Sequence, residues 1–319
     1  MDLNQILNSL RVVQLPMRTK FRGITTREVA LFEGPAGWGE FSPFLEYGNA
    51  ESANWLKSGV EAAMTRDFPK FRDSIKINGT IPATDSIEEI ENLISLYQGA
   101  EVFKVKVGTD LKSDLARIER VKKLAPNAKL RIDVNGSWGV DEAIFSIRTI
   151  CGEIGELEYV EQPVAELENL KKLKENLRVD VKIAGDEVIR KAKDPFAINL
   201  DGAIDVLMLK VAPLGGIKRS LEIAAHHKLP VVLSSALESA IGISQGLRLA
   251  AALPKLGYAC GLATGSLLTS DLATHEIKDG AISLSAPTPN LDALARFEAP
   301  KGRLEWWRER VRRCWEAMQ

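Results

Sequence analysis

Five charged residues follow short apolar runs of this chain at almost equal intervals. They are Lys106 after VFKV, Asp133 within LRIDV, Glu161 after LEYV, Asp186 after VKIAG and Lys210 after VLML. The successive intervals are 27, 28, 25 and 24 residues, about the length of one strand, one helix and two short loops. A βα repeat with a charged residue at each strand end predicts a parallel barrel, in which the carboxyl ends of the strands carry the chemistry. We therefore expect an enzyme.

The repeat extends from about residue 75 to residue 266 and predicts eight strands, from SIKINGTIPA to YACGLATG. Runs such as VLMLK and VVLSS are continuously apolar, which is typical of parallel strands buried on both faces. Helical periodicity follows each of the first seven strands, at 86–100, 111–124, 141–151, 165–176, 187–194, 215–227 and 239–253. The predicted fold class is α/β, a modified TIM barrel of the (β/α)7β type.

The two ends of the chain depart from this repeat. Residues 1–75 predict an α+β domain with strands in RVVQLPM and REVALFEG and a helix within 51–68. FRGITT and GWGEFSPFLEYG are rich in glycine and aromatic residues, so we predict two long loops there. Residues 76–284 form the predicted barrel domain. Residues 285–319 end in an amphipathic helix, and its mixed arginines and glutamates predict packing on the same protein rather than phosphate binding.

Composition excludes several classes of partner. The net charge is −1, so nothing global attracts the chain to nucleic acid or to an anionic membrane. The N-terminal residues lack the pattern of a signal peptide, and no stretch reaches the roughly 18 apolar residues of a membrane helix. Cys151, Cys260 and Cys314 are widely separated, which predicts reduced thiols in a cytoplasmic protein. No obligate protein partner is evident.

Three acids fall on the adjacent third, fourth and fifth predicted strands. Asp133, Glu161 and Asp186 should therefore converge on one arc of the barrel mouth. Carboxylates held that close raise each other's pKa unless a cation neutralises them. An all-carboxylate set suits a hard divalent ion, so we predict Mg²⁺ first and Mn²⁺ second.

Two lysines flank these acids from opposite sides. Lys106 and Lys210 end the second and sixth of eight strands, so they should face each other across the mouth. Lys104 points to the same side of its strand as Lys106. A lysine with a lowered pKa can remove a proton α to a carboxylate while cations stabilise the resulting charge. The predicted partner is therefore a small-molecule carboxylate.

KVKVG, DVNGSW, VEQP, AGDE and the lysine of the sixth strand resemble the signature series of the enolase superfamily, in its muconate-lactonizing branch. The resemblance covers nearly the whole chain and implies an N-terminal capping domain that the C-terminal segment completes. It also implies a role for each matching residue. Asp133, Glu161 and Asp186 would be metal ligands, with Glu187 behind them. Lys106 would be the base, and Lys210 would be its partner on the opposite side. Arg131 and Asn135 would support the first ligand.

Within the superfamily, FRGITTRE, GWGEFSPFLEY and LSSALESAIG are most similar to members that dehydrate a hydroxycyclohexadiene carboxylate to an aromatic acid. In those members the second lysine of KxK removes the proton and helps the hydroxyl to leave on the same face. We further expect FRGITT and GEFSPFLEY to close over the substrate as lids. Arg22 would bind a substrate carboxylate or pair with Glu28 or Glu40, and Ser234 and Ser235 would bind the substrate's tail.

Other activities stay open or are disfavoured. Racemisation of N-succinylamino acids and cycloisomerisation remain possible for a barrel with two opposed lysines. Dipeptide epimerases are disfavoured because CGLATGS carries no acid before Asp271. The three histidines do not lie at strand ends, which disfavours a histidine base. A Schiff-base aldolase would not need three carboxylates, and Gly215–Gly216 predicts a tight turn rather than a phosphate site.

Overall fold

The chain begins with a small α+β unit, in the computed structural model that describes residues 1–108 and 110–318. Its three strands pair antiparallel in chain order. Asp2 caps the first helix with a reciprocal capping box, which fixes where that helix starts. The elements of this unit, the cap, are α1 (Leu3–Ser9), β1 (Arg11–Phe21), β2 (Ile24–Gly34), β3 (Gly37–Phe41) and α2 (Asn49–Met64).

FRGITT is a hairpin tip rather than the long loop predicted from its composition. Phe21 and Ile24 are paired, and Arg22 and Gly23 form the two-residue turn between them. Both turn residues have positive φ, 50° and 83°, as the type I′ turn of a β-hairpin requires. The prediction also failed at Gly37–Phe41, which is strand β3, so that only the following residues 42–48 form a loop.

The centre of the molecule is a parallel sheet that curves into a barrel. Among the described residues, seven strands from β5 to β11 pair in chain order, each parallel to the next. The strands that follow the cap are β4 (Ser74–Lys76), β5 (Gly79–Ile81), β6 (Val102–Lys106), β7 (Lys129–Asp133), β8 (Tyr159–Glu161), β9 (Ile183–Gly185), β10 (Val206–Leu209), β11 (Val231–Leu233), β12 (Ile277–Lys278) and β13 (Ala281–Ser283).

The first and last predicted strands differ from expectation. SIKINGTIPA is divided: β5 enters the barrel, whereas β4 pairs antiparallel with β13 outside it. The segment 258–265, described throughout, forms single parallel bridges instead of a regular strand. Cys260 pairs with Ile77 and Gly261 with Ser234. This segment therefore closes the barrel between its first and seventh strands, and the (β/α)7β architecture is confirmed.

The helices surround the barrel and follow its strands. They are α3 (Ile87–Ser95), α4 (Leu111–Leu124), α5 (Val140–Ile154), α6 (Leu167–Asn176), α7 (Glu187–Arg190), α8 (Val211–Leu214), α9 (Ile217–His227) and α10 (Ala240–Ala252). The helix predicted over 187–194 is only the single turn α7. Within residues 1–108 and 110–318, no helix is long and apolar enough to cross a membrane.

A glycine pair separates α8 from α9, so the helix predicted from residue 215 begins later. Gly215 and Gly216 have φ of 92° and 118°, which only glycine adopts readily. The N–H groups that open α9, those of Ile217 and Lys218, donate to the carboxylate of Glu61 from α2. A cap side chain thus occupies the anion position of this helix, in agreement with the prediction that the pair is not a phosphate site.

The C-terminal segment returns to the cap, as predicted. Its helices are α11 (Leu291–Arg296) and α12 (Lys301–Glu316). Between them, Ala299 N donates to the carbonyl of Val12 on β1 at 2.8 Å. Arg303 and the Trp307 indole of α12 both donate to Glu28 of β2, at 2.6 and 2.7 Å. The cap therefore consists of the two ends of the chain held together.

Candidate active site

The register of the parallel strands brings the predicted strand-end residues to one level. Lys106 is the partner of Asp133 on the next strand, and Asp133 is the partner of Glu161 on the one after. Asp186 and Lys210 follow directly at the ends of β9 and β10. The convergence predicted from spacing alone is thus observed in the folded chain.

The five side chains and Lys104 form a network of ion pairs. Lys104 Nζ lies 2.7 Å from Glu161 Oε2 and 3.1 Å from Asp133 Oδ2. Lys106 Nζ lies 2.7 Å from the same oxygen of Asp133. On the other side of the mouth, Lys210 Nζ lies 2.5 Å from Asp186 Oδ2. Each acid therefore faces a lysine, and the two predicted lysines stand at opposite ends of the network.

The three acids titrate differently because their neighbours differ. Burial and the adjacent charge of Asp133 raise the pKa of Glu161 to about 7. Burial also acts to raise the pKa of Asp133, but Lys104 and Lys106 outweigh it and hold that pKa far below its usual range. Asp186 behaves likewise, since Lys210 and Arg190 overcome burial and lower its pKa to about 2. Glu161 is thus the one acid of the three whose pKa is raised towards neutral pH.

The pKa values of the three lysines are also shifted in different directions. Burial, followed by repulsion from Lys104, lowers the pKa of Lys106 even against the pull of Asp133. For Lys104 and Lys210 the neighbouring acids outweigh burial, and both pKa values are raised. Of the three lysines, Lys106 therefore has the ammonium that loses its proton most readily.

Two supporting residues were not predicted. Gln162, fully buried, accepts the backbone N–H of Asp186 at 2.9 Å and so fixes the turn after β9. Arg190 of α7 bonds Glu187 at 2.8 Å and lies 3.3 Å from Asp186 and 3.5 Å from Glu51 of the cap. Gln162 lies within the VEQP motif and could have been found there. Arg190 had no sequence signal beyond its position one turn after Asp186.

The residues expected to support the acids are found in different places. Asn135 Oδ1 accepts a hydrogen bond from Lys106, and Asn135 Nδ2 donates to Glu187 at 3.3 Å. None of the hydrogen bonds and ion pairs within residues 1–108 and 110–318 joins Arg131 to Asp133, so that expectation is corrected. Arg131 Nη1 instead donates to Asn78 and to the carbonyl of Ala259, at 2.9 and 2.8 Å. It fastens the irregular eighth segment where the barrel closes.

The cap supplies one wall of the pocket over the barrel mouth. Phe21 and Arg22 come from the hairpin tip, Phe44 and Tyr47 from the 42–48 loop and Trp55 from α2. The free space between this wall and the lysines is about 40 Å³, room for only a few water molecules. A larger molecule can enter only if cap side chains move.

Arg22 pairs with neither of the acids that were expected. It donates to the Tyr47 hydroxyl at 2.9 Å, lies 3.7 Å from Glu46 and stacks over the Phe44 ring at 4.2 Å. Glu28 instead binds Arg303. The arginine thus belongs to the pocket wall, held by the loop that carries Phe44 and Tyr47.

Ser234 and Ser235 line the opposite wall, after β11. The Ser235 hydroxyl lies 2.5 Å from that of Thr264, and either can donate. Ala236 and Leu237 continue the same wall. Both predicted serines are therefore in the pocket, on the barrel side facing the cap.

Unpaired carboxylate oxygens identify where a cation fits. Glu161 Oε1 and Glu187 Oε2 are buried and form no hydrogen bond with any described residue, whereas the buried Asp186 Oδ1 lies 3.3 Å from Arg190 Nε. Buried acceptors without a partner are costly, and a hard divalent ion would satisfy them. In residues 1–108 and 110–318 no three acidic, histidine or cysteine side chains are already arranged around a common metal position. The lysines lie between the carboxylates, so metal binding would require these side chains to reorient.

Two family models match the chain. Residues 12–63 match the enolase N-terminal domain-like family, and residues 87–289 match the enolase C-terminal domain-like family. The second match alone covers more than half of the chain.

Curated relatives match over nearly the full length. The chain is 47% identical to an o-succinylbenzoate synthase of Mycolicibacterium smegmatis, over 98% of this chain and 97% of the relative. It is also 47% identical to an o-succinylbenzoate synthase of Mycobacterium ulcerans, over 98% of this chain and 95% of the relative.

Solved structures share the fold at lower identity. Muconate lactonizing enzyme from Pseudomonas putida has a TM-score of 0.73 and 23% identity, over 91% of this chain and 98% of that chain. The L-Ala-D/L-Glu epimerase from Bacillus subtilis has a TM-score of 0.72 and 23% identity, over 88% of this chain and 96% of that chain. Likeness at this level concerns architecture only.

Proposed function

The chain belongs to the enolase superfamily, and we propose that it is an o-succinylbenzoate synthase. Such an enzyme dehydrates 2-succinyl-6-hydroxy-2,4-cyclohexadiene-1-carboxylate to 2-succinylbenzoate, a step of menaquinone biosynthesis. The observation that carries the proposal is 47% identity to curated enzymes of this name over 98% of the chain. The chemistry is that of a hydro-lyase, and the opposed lysines at the barrel mouth support it.

Lys106 is the proposed base. Its lowered pKa lets the neutral amine accept the proton on the carbon α to the ring carboxylate. Asn135 and Asp133 hold Nζ in place through the hydrogen bonds described above. Once protonated, the same ammonium can give a proton to the departing hydroxyl on the same face of the ring. The products are the aromatic acid and water, so atoms and protons balance.

Lys210 is proposed to act through charge alone. Its pKa is raised by Asp186 and Glu161 against burial, so it stays protonated while Lys106 gives up its proton. An ammonium facing the ring from the side opposite to Lys106 stabilises the negative charge that develops when the proton leaves. Lys104, also with a raised pKa, keeps Glu161 and Asp133 in place.

Asp133, Glu161 and Asp186 are the proposed ligands of a divalent cation, with Glu187 behind them. Mg²⁺ is the proposed ion and Mn²⁺ the alternative. The unpaired buried oxygens of Glu161 and Glu187 support this assignment. When bound, the cation would neutralise negative charge on the substrate carboxylate. With Lys104 and Arg190 included, four basic side chains face four acidic ones, so the charges of the mouth nearly cancel. The two positive charges of a divalent cation would then balance the two carboxylates of the substrate.

The hairpin tip and the 42–48 loop are proposed to open and close over the substrate. The small free volume supports this, because a substituted six-membered ring needs more than about 40 Å³. Arg22, exposed at this edge, is the proposed contact for a substrate carboxylate. Ser234 and Ser235 are proposed to bind the succinyl tail on the opposite wall.

We also propose the division of the chain into a cap of residues 1–75, a barrel of 76–284 and a C-terminal segment of 285–319 that completes the cap. The expected compartment is the cytoplasm, where Cys151, Cys260 and Cys314 would stay reduced. The proposed partner is a small-molecule carboxylate, with no nucleic acid, membrane or obligate protein partner.

Racemisation of N-succinylamino acids is the second candidate. Two lysines on opposite sides of the mouth could act as bases on the two faces of one α-carbon, and the succinyl group is common to both substrates. The unequal pKa shifts of Lys106 and Lys210 favour dehydration with a single base.

One experiment separates the two. The metal-loaded protein is incubated with the cyclohexadiene precursor, and formation of the aromatic product is followed by its absorbance. In parallel, N-succinyl amino acids in D₂O are analysed by NMR for deuterium at the α-carbon. We expect aromatic product at rates far above any exchange. Exchange without aromatic product would replace the proposal with racemisation.

A further inference from the structure

One arginine behind the pocket joins the cap to the barrel. Arg27 lies on β2 and only 2% of its surface is exposed. Its Nε donates to the carbonyl of Leu237, in the loop after β11, at 2.9 Å, and its Nη2 donates to the carbonyl of Ser42 in the cap loop. It does not line the pocket itself. A single buried side chain therefore bonds both walls.

On the cap side, Arg27 holds the start of the loop that carries Phe44 and Tyr47. Its guanidinium lies over the Phe44 ring, 4.4 Å from the ring centroid. The bond to Ser42 fixes the backbone just before Phe44, and both aromatic rings line the pocket. Arg27 thus holds this wall at its start, while Arg310 of α12 donates to the carbonyls of Phe44 and Tyr47 at 2.9 and 2.8 Å.

On the barrel side, Arg27 holds a strained turn. Leu237 has φ of 63°, a left-handed conformation that is unfavourable for a non-glycine residue. Such a residue persists only when its surroundings determine it. Ser235, Ala236 and Leu237 line the pocket opposite the cap. The bond from Arg27 to the Leu237 carbonyl is one of the contacts that keep this wall in place.

A buried acid completes the junction. Glu40 of β3 accepts hydrogen bonds from the Ser42 hydroxyl at 2.5 Å, the Ser239 hydroxyl at 2.6 Å and Gly242 N at 2.9 Å. It therefore joins the same cap loop to the first turn of α10. Burial lowers the pKa of Arg27 to about 10, against the pull of Glu40, so the guanidinium stays charged at neutral pH.

We propose that Arg27 and Glu40 are positioning residues that fix the distance between the two walls of the pocket, and that they set how tightly the substrate's non-reacting part is bound. Neither residue touches the reacting atoms. Their loss leaves Lys106, Lys210 and the three acids in place, because these sit on barrel strands. This inference rests on the proposed dehydration of a dicarboxylate.

The neighbouring residue offers a matched control. Glu28 follows Arg27 on the same strand and points the other way, to Arg303 and Trp307 of α12. Its own bonds hold the C-terminal helix on the cap and reach neither pocket wall, although Arg310 of the same helix donates to the carbonyls of Phe44 and Tyr47. Glu28→Gln removes one charge from β2, as Arg27→Met does, but it keeps the bonds from Arg27 to both pocket walls.

The test compares Arg27→Met, Arg27→Lys and Glu28→Gln with the wild type in steady-state dehydration and in thermal unfolding. For Arg27→Met we expect KM to rise by about tenfold or more, with kcat reduced less than about threefold. Arg27→Lys keeps the charge but cannot bond both carbonyls, so KM should rise with little loss of Tm. Glu28→Gln should lower Tm and leave KM unchanged. Binding of 2-succinylbenzoate, measured by calorimetry, should weaken in parallel with KM.

Unchanged KM and product affinity in both Arg27 variants would overturn the inference, as would an equal rise of KM in Glu28→Gln. If Arg27→Met does not fold, Arg27→Lys decides by the same criteria. Failure of the wild type to dehydrate the precursor would instead overturn the proposed function, so the two failures are distinguishable.

Discussion

The molecule has two groups of buried charges, one at the barrel mouth and one at the junction of cap and barrel. They differ in their balance of acidic and basic side chains. At the barrel mouth, three lysines face three acids: Lys104, Lys106 and Lys210 against Asp133, Glu161 and Asp186. At the cap junction, the buried acids Glu40 and Glu238 lie near the buried cation Arg27, and the partly buried Asp271 lies near Glu40.

The difference lies in what balances the acids. The mouth acids are paired with lysines, and two of them have lowered pKa values. Backbone N–H groups and hydroxyls donate to the junction acids, although Glu238 Oε1 has no hydrogen-bond partner among the described residues, and burial raises the pKa of each acid. Asp133 and Asp186 at the mouth are therefore kept ionised, whereas acids at the junction act as buried hydrogen-bonding groups. Neutralising an acid should remove activity in the first group and leave or raise stability in the second.

The largest effect is expected from the mouth acids. Asp133→Asn, Glu161→Gln or Asp186→Asn removes one proposed metal ligand, and turnover at micromolar Mg²⁺ should fall by more than about 10³-fold. Dehydration rate against metal concentration measures this. Exhaustive EDTA treatment of the wild type should have the same effect, reversed by added Mg²⁺. Full activity after that treatment would remove the metal proposal.

Replacing Lys106 or Lys210 by arginine tests whether the two lysines have different roles. Lys106→Arg keeps the charge but loses the base, so kcat should fall by about 10²–10⁴-fold or more. Lys210→Arg keeps the charge that this residue is proposed to supply and should retain more activity. Single-turnover dehydration of both variants checks the order. A more active Lys106→Arg would show that the roles are reversed, and equal loss would favour the racemase alternative.

Neutralising an acid at the junction should raise the stability of the protein, whereas neutralising an acid at the mouth should remove activity. Burial, with the charge of Glu40, raises the pKa of Glu238 to about 7, against Arg27 and its own loop's N–H groups. The folded state then keeps a proton that the unfolded chain has lost, so stability falls as pH rises from about 4.5 to 7. Glu238→Gln removes this cost, which is on the order of 3 kcal/mol at most. Its stability gain over wild type should be absent near pH 4.5 and complete above pH 8.

Urea unfolding at several pH values measures this gain. Glu28→Gln is the control of opposite sign, because Arg303, Gln14 and Trp307 overcome partial burial and lower the pKa of Glu28. That variant should lose stability above pH 4.5. A Glu238→Gln gain that does not change with pH would mean that Glu238 is ionised in the folded protein.

The smallest effect is expected at the pocket's outer edge. Arg22→Ala should lower kcat/KM by about tenfold, mainly through KM, because one charge-assisted hydrogen bond to a substrate carboxylate is lost. The kcat/KM of Arg22→Ala is measured by steady-state kinetics and compared with that of Arg22→Lys, which keeps the charge. A change of less than about twofold would assign Arg22 to the structure of the cap, with Tyr47 and Glu46.

Much of the barrel could be predicted from local pattern. Apolar runs at a βα interval predicted the strands, and the charged residue after each run had to reach the carboxyl end of the sheet. Boundaries failed where backbone conformation overrode periodicity, as at Gly215–Gly216 and in the divided first strand. Composition also misled at FRGITT, because glycine and threonine suit a hairpin as well as a loop.

The sequence by itself determined the repeat, the charged strand ends and the family to which they point, since these depend on spacing within one segment at a time. The tertiary structure alone decided that Arg131 fastens the barrel closure, that Arg190 reaches both Asp186 and Glu51, and that Arg27 bonds both pocket walls. Arg27 and Leu237 are 210 residues apart along the chain. No local periodicity encodes such a contact, because it exists only after cap and barrel have packed together.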